Sequence, residues 1–118
     1  MSYELLEHTA DIRIRVKGKD AQDVFMQAGL ALFDILAERG PGAPHDEKKI
    51  SLSVSGGSLD ELFVNWLNEL LSLAYAKEII FTNFEFSQFC ESSLEAHAIA
   101  LPMQQYRINT EIKAATYH

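Results

Sequence analysis

The sequence predicts an α+β domain built as a two-layer sandwich, with two amphipathic helices covering one face of a mixed or antiparallel sheet. Three observations carry that expectation. Ile12, Ile14 and Val16 alternate with Arg13, Arg15 and Lys17, the period of two expected of a half-buried strand. Two long segments, after Asp20 and after Ser58, repeat apolar residues at three- and four-residue spacing, as helices do. From Ile79 onward the chain is rich in β-branched and aromatic residues, broken only by short polar steps.

In chain order, Tyr3 to Glu7 is a candidate first strand, parted from the strand at 12–17 by His8-Thr9-Ala10-Asp11. The two either pair or run on across a kink. Asp20 can cap a helix, since its carboxylate can accept the free amide hydrogens of the turn that follows. Ala21, Val24, Phe25, Ala28, Leu32, Ile35 and Leu36 then form one stripe. That helix should end near Arg39-Gly40-Pro41-Gly42, where proline cannot continue the ladder, and a loop should run to about Lys48. Ile50, Leu52 and Val54 alternate with serines as a further strand, leading into a turn at Gly56-Gly57. Ser58 and Glu61 form a capping box, after which Leu59, Leu62, Phe63, Trp66, Leu67, Leu70, Leu71 and Ala74 make a continuous apolar face. Segments 79–89, 94–101 and 107–117 read as three closing strands, the first two as a hairpin around Glu91-Ser92-Ser93.

A chain of 118 residues fits one hydrophobic core, and 47% hydrophobic with 23% charged residues suits a packed globule. The lone cysteine, Cys90, has no partner for an intrachain disulfide, which fits a reducing compartment. The opening residues carry no basic, apolar leader pattern and no stretch is long enough to span a bilayer. A soluble, cytoplasmic protein without membrane attachment is expected. A formal net charge of −7 disfavours direct, tight nucleic-acid binding and would steer the chain toward basic surfaces.

Leu6-Glu7-His8-Thr9-Ala10-Asp11, Ala31-Leu32-Phe33-Asp34, Trp66-Leu67-Asn68-Glu69-Leu70-Leu71 and the closing Thr110-Glu111-Ile112-Lys113-Ala114-Ala115-Thr116-Tyr117-His118 occur in the order and spacing of one family. Together they make the chain resemble the archeases, across almost its whole length. The resemblance implies a small accessory protein, not an enzyme, that activates an RtcB-type tRNA ligase in tRNA splicing and RNA repair. That ligase is guanylylated on a histidine, and joins RNA ends bearing a 2',3'-cyclic phosphate or 3'-phosphate to a 5'-hydroxyl. The resemblance also implies a bound divalent cation, calcium in structures and manganese in function, and a protein that promotes guanylylation and multiple turnover of the ligase. Family members continue past the position matching His118 with a further strand whose terminal aspartate belongs to the metal site. Residues 1–118 are therefore expected to form one archease-like domain without that strand, and Arg13 stands where many relatives have a small residue.

By resemblance Asp11 is the metal ligand, a hard carboxylate oxygen suited to calcium, magnesium or manganese. By its own sequence context it is an ordinary turn aspartate. One carboxylate does not complete a site, since calcium takes about six to eight oxygens. His8 reads as a residue that fixes the turn or donates to the cation's ligands. Asp34, near the C-terminal end of the first helix, is either a second acid or simply exposed. Glu111 and Lys113 lie two apart on the expected last strand, as an ion pair or, for Lys113, a contact to the ligase or its nucleotide. Asn65, Asn68 and Glu69 read as the solvated side of the second helix. His45, His97 and His118 show no ligand spacing, and Gly56-Gly57-Ser58 lacks the lysine of a phosphate loop.

Two other functions compete with the ligase activator. One is a general protein-binding or chaperone-like module that pairs partners along an open sheet edge, indifferent to Asp11 and to cations. The other is a small hydrolase using Asp11, Asp34 and Glu111, which requires the three carboxylates to converge.

Overall fold

The computed structural model describes residues 3–7, 12–112 and 114–115, with side chains from Ile14 onward. Strands β1 (Tyr3–Glu7) and β2 (Ile12–Val16) pair antiparallel, with Tyr3 opposite Val16 and Glu7 opposite Ile12. This decides for a hairpin between the two alternatives that the sequence leaves open. Val16 is half-buried against the core and Arg15 is exposed, as the alternation requires.

Helix α1 (Ala21–Leu36) starts as expected: the Asp20 carboxylate accepts from the Asp23 amide at 2.8 Å, and the Asp23 carboxylate in return accepts from the Lys19 amide at 2.9 Å. Its end departs from expectation. The helix stops at Leu36, and Ala37–Arg39 is extended as strand β3 instead of forming a further helical turn before Gly40. The reason is tertiary. Ala37, Glu38 and Arg39 pair antiparallel with Ile108, Arg107 and Tyr106 of a late strand, so these backbone groups gain ladder partners that a helix terminus lacks.

Strand β4 (Lys48–Ser55) buries Leu52 and Val54 and leads through Gly56 into helix α2 (Leu59–Lys77). The Ser58 hydroxyl accepts from the Glu61 amide at 3.2 Å, while the Glu61 carboxylate reaches back to the Gly57 amide at 3.1 Å. A Cβ on Gly56 would lie 2.7 Å from the Leu62 nitrogen, so only glycine lets the strand enter the helix this closely. Leu62, Trp66, Leu67, Leu70, Leu71 and Ala74 are buried, with Leu59 and Phe63 packed beside them, as the apolar face predicts. Glu78 closes the helix in the left-handed region, at φ 55°.

Strand β5 (Ile79–Phe89) and strand β6 (Ser93–Pro102) form the expected hairpin, and β6 lies between β4 and β5 in an antiparallel sheet of order β4-β6-β5. In β5 the phenylalanines fall at 81, 84, 86 and 89, a spacing that a regular strand cannot keep on one face. Two bulges resolve it. Phe81 and Asn83 face the successive residues Ala100 and Ile99, leaving Thr82 as an extra residue; Phe86 and Gln88 do the same across Ala96 and Glu95, leaving Ser87. The extra residues' hydroxyls donate to the carbonyls of Ile99 and Glu95, each at 3.2 Å. All four rings thereby point at the helices. Phe33 meets Phe81, Trp66 meets Phe84 and Phe86, and Phe25 meets Phe89, in edge or tilted contacts with centroids 4.9–5.4 Å apart.

Both helices thus cover one face of this sheet, and the chain is a two-layer α+β fold whose pairings among the described residues are all antiparallel. Alanines at 96, 98 and 100 keep the middle strand low beneath the aromatic layer. The indole N–H of fully buried Trp66 donates to the Phe25 carbonyl at 3.0 Å, tying α2 to α1 without an orphaned donor. A Cβ at Gly29 would lie 2.8 Å from the Phe84 ring, which explains glycine inside α1. The opposite sheet face presents Ser51, Ser53, Glu95, His97, Asn83 and Glu85 to solvent. No helix among the described residues is long and apolar enough to cross a membrane.

After β6 a short 3-10 turn (Met103–Gln105) leads into β7 (Tyr106–Ile108). Here the structure corrects the sequence reading a second time. The strand expected over 107–117 ends at Ile108, and the described residues beyond it, 109–112 and 114–115, are not in a sheet.

Candidate functional site

The five residues singled out in the sequence fare differently. Asp11, His8 and Lys113 lie outside the described residues. Residues 8–11 connect the paired ends Glu7 and Ile12, and the hairpin they join contacts α1. Asp34 is exposed on the last turn of α1, two residues before Leu36. Glu111 is exposed on the segment that follows β7.

That segment is brought to the end of α1. The amides of Asn109 and Thr110 both point at the Leu36 carbonyl, at 2.8 and 3.5 Å, so one of the carbonyls left over at the helix C-terminus is satisfied by the late chain. Further along, the Ile112 amide donates to the Tyr75 hydroxyl at 3.1 Å. At Ala115 the Asn68 side chain acts as a substitute peptide: its Oδ1 accepts from the Ala115 amide at 2.7 Å and its Nδ2 donates to the Ala115 carbonyl at 3.1 Å. Ile112 and Ala115 turn their apolar atoms onto the core while Glu111 faces water. The segment is therefore a strap, held to α1 by a helix carbonyl and to α2 by two side chains.

Asn68 and Tyr75 were not among the candidate residues, and Asn68 corrects the reading of that helix side as merely solvated. Asn65 donates to the Ser55 carbonyl at 2.9 Å, and Asn65, Asn68 and Glu69 are half-buried. A signal was present: asparagine is a poor helix former, and two of them inside a strong helix need a side-chain reason. With Ser53, Val54 and Ser55, these three residues line a shallow polar cleft of about 390 Å³ between α2 and the end of β4.

The donor chemistry fits a hard cation only in part. Asp34 and Glu111 offer carboxylate oxygens, the ligand type that calcium, magnesium and manganese prefer. Among the described residues, however, no three His, Cys, Asp or Glu side chains gather closely enough to hold an ion. Of the three carboxylates a hydrolase would need, Asp34 and Glu111 are exposed and Asp11 lies outside the described residues.

Two further ionisable groups stand out. Cys90, in the turn of the β5–β6 hairpin, has its thiol 3.3 Å from the Ser93 hydroxyl and 3.7 Å from that of Ser92. These hydroxyls and the neighbouring backbone amides favour the thiolate and bring the thiol down to about 7. Donation from the Lys19 amide, then from Gln27, lowers Asp23 in the same way. Both groups lie at the surface.

Comparison with known proteins agrees with this architecture. The model of the archease protein family matches residues 3–118. The archease of Methanosarcina acetivorans is 36% identical over 98% of this chain and 82% of its own length, and that of Methanosarcina mazei is 34% identical with the same coverage. An archease-like protein of Drosophila melanogaster is 31% identical over 99% of this chain and 77% of its own. The solution structure of Methanobacterium thermoautotrophicum protein 1598 superposes with a TM-score of 0.70 at 24% identity, covering 99% of this chain and 85% of that one, and shares the fold. With a family match over nearly every residue and relatives above 30% identity over nearly its full length, this chain belongs to the archease family.

Proposed function

We propose that this chain is a single-domain, cytoplasmic accessory protein that activates an RtcB-type RNA ligase and performs no chemistry of its own. The observation that carries the reading is family membership over residues 3–118, with the segment containing Asp11 joined to a hairpin that rests on α1. In this reading a divalent cation, calcium or manganese, is held at Asp11. His8, Asp34, Glu111 and Lys113 serve as supporting or partner-facing groups. The strap supports the proposal by carrying Glu111 to the end of α1, where Asp34 also lies. When bound, the cation supplies a local positive charge to an otherwise acidic protein. The chain's own residues orient that charge and present it to the ligase.

The test is ligation of RNA ends by a matching RtcB-type ligase with GTP and manganese, with and without this protein. Addition should raise both the guanylylation rate and the number of turnovers, and Asp11→Ala should lose most of that gain. Calorimetry with calcium, magnesium and manganese should show uptake by the parent and loss in Asp11→Ala. Equal activation by parent and variant, with no uptake by either, rejects the reading in favour of a cation-indifferent binding module.

A further inference from the structure

We propose that the cleft between α2 and the end of β4 is the seat for an arginine side chain of the protein partner. The inference rests on the accessory-protein reading and names one of its docking surfaces. Glu69 is half-buried in the wall of the cleft, and its carboxylate has no hydrogen-bond or ion-pair partner among the described residues. A carboxylate on a cleft wall without a cation is open to a charged donor from outside. Around it stand the carboxamides of Asn65 and Asn68 and the Ser53, Val54 and Ser55 stretch of β4. The two carboxamides are locked by the Ser55 carbonyl and by Ala115, so the wall is rigid before any ligand arrives.

This set matches a guanidinium better than any alternative. Glu69 can accept two parallel N–H bonds from the planar fork, and the polar wall around it suits the remaining N–H groups. A lysine ammonium is a point charge that would use one acceptor and leave the rest to water. A metal ion would find one carboxylate where it needs several oxygens. The net charge of −7 draws basic surfaces in, and the cleft selects among their side chains.

The experiment measures affinity for a matching RtcB-type ligase of the parent and of Glu69→Gln, Glu69→Arg and Asn65→Arg. Circular dichroism verifies each fold, and calorimetry of cation uptake is run on the same samples. Glu69→Arg and Asn65→Arg, which each place a cation in the cleft wall, should weaken binding roughly tenfold or more, and Glu69→Gln less, with cation uptake intact. In parallel, arginine amide should perturb the side-chain NMR signals of Asn65 and Asn68 in the parent but not in Glu69→Gln, while lysine amide should do so weakly. Parental affinity in both arginine variants overturns the proposal, even where Asp11→Ala still abolishes activation and the accessory reading stands. No ligase binding by the parent fails that reading and with it the partner named here. Equal responses to arginine and lysine amides overturn the choice of a guanidinium.

Discussion

Segments 79–89 and 107–117 carry the same kind of sequence, β-branched and aromatic residues between polar ones, yet only the first becomes a strand throughout. β5 meets β6 after the three residues 90–92 and satisfies its backbone in a ladder. The later segment pairs with β3 only at Arg107 and Ile108 and then leaves the sheet. Beyond Ile108 its amides are met by the Leu36 carbonyl, the Tyr75 hydroxyl and the Asn68 carboxamide. β-propensity records a side chain's fitness for a pleated surface, whereas hydrogen-bond partners determine whether a sheet forms. One region is held cooperatively, and the other by single side chains that can be removed individually.

The contrast predicts a graded response. Trp66→Ala should cost about 3–5 kcal/mol, because it empties the centre of the aromatic layer and strips the tie to Phe25; urea denaturation should show the loss, with both helices and the sheet failing together. Asn68→Ala should cost about 1–2 kcal/mol, two ordinary hydrogen bonds, and its effect should be local. Hydrogen exchange should accelerate at Ile112 and Ala115 while amides of β6 stay protected. Uniform acceleration in both places would show that the strap and the sheet are one cooperative unit. Thr82→Val should cost about 1 kcal/mol, since it removes the hydroxyl that satisfies the bulge, and Ser87→Ala at the more exposed bulge should cost less.

The smallest effect concerns reactivity. Alkylation of Cys90 by iodoacetamide should rise with pH through about 7, and Ser93→Ala should move that midpoint upward toward the ordinary thiol value of 9.0. The sign follows from the depressed folded value. Whatever stability the thiolate contributes is present above the unfolded value and is lost as pH falls through about 7. An unchanged midpoint in Ser93→Ala would assign the shift to the Ser92 hydroxyl and the backbone amides.

Much of the fold was legible because its signals are local. Asp20 and Ser58 marked the helix starts through caps that need only the next turn, and the stripe from Leu59 to Ala74 marked the buried face of α2. The phenylalanine spacing in β5 also encoded its two bulges, although a reader expecting strict alternation passes over them. Three features were not legible. The early end of α1 depends on pairing with residues about seventy positions later in the chain. The strap depends on Asn68 meeting Ala115, a contact invisible to any window of neighbouring residues. The cleft depends on β4 and α2 lying side by side.

For the candidate site the division runs the same way. Asp11, His8, Asp34, Glu111 and Lys113 were chosen by family pattern, and of the two that are described, Asp34 and Glu111, both are exposed. Tertiary structure added Asn65, Asn68 and Glu69 as a half-buried polar wall in place of a solvated face. The sequence by itself determined the α+β class, the caps, the helix faces and family membership, because each is written in spacing and residue type. Only the tertiary structure decided where α1 stops, which β-like segment joins a sheet and which polar side chains are withdrawn from water. Those outcomes turn on which distant group completes a hydrogen bond, and propensity holds no record of distant groups.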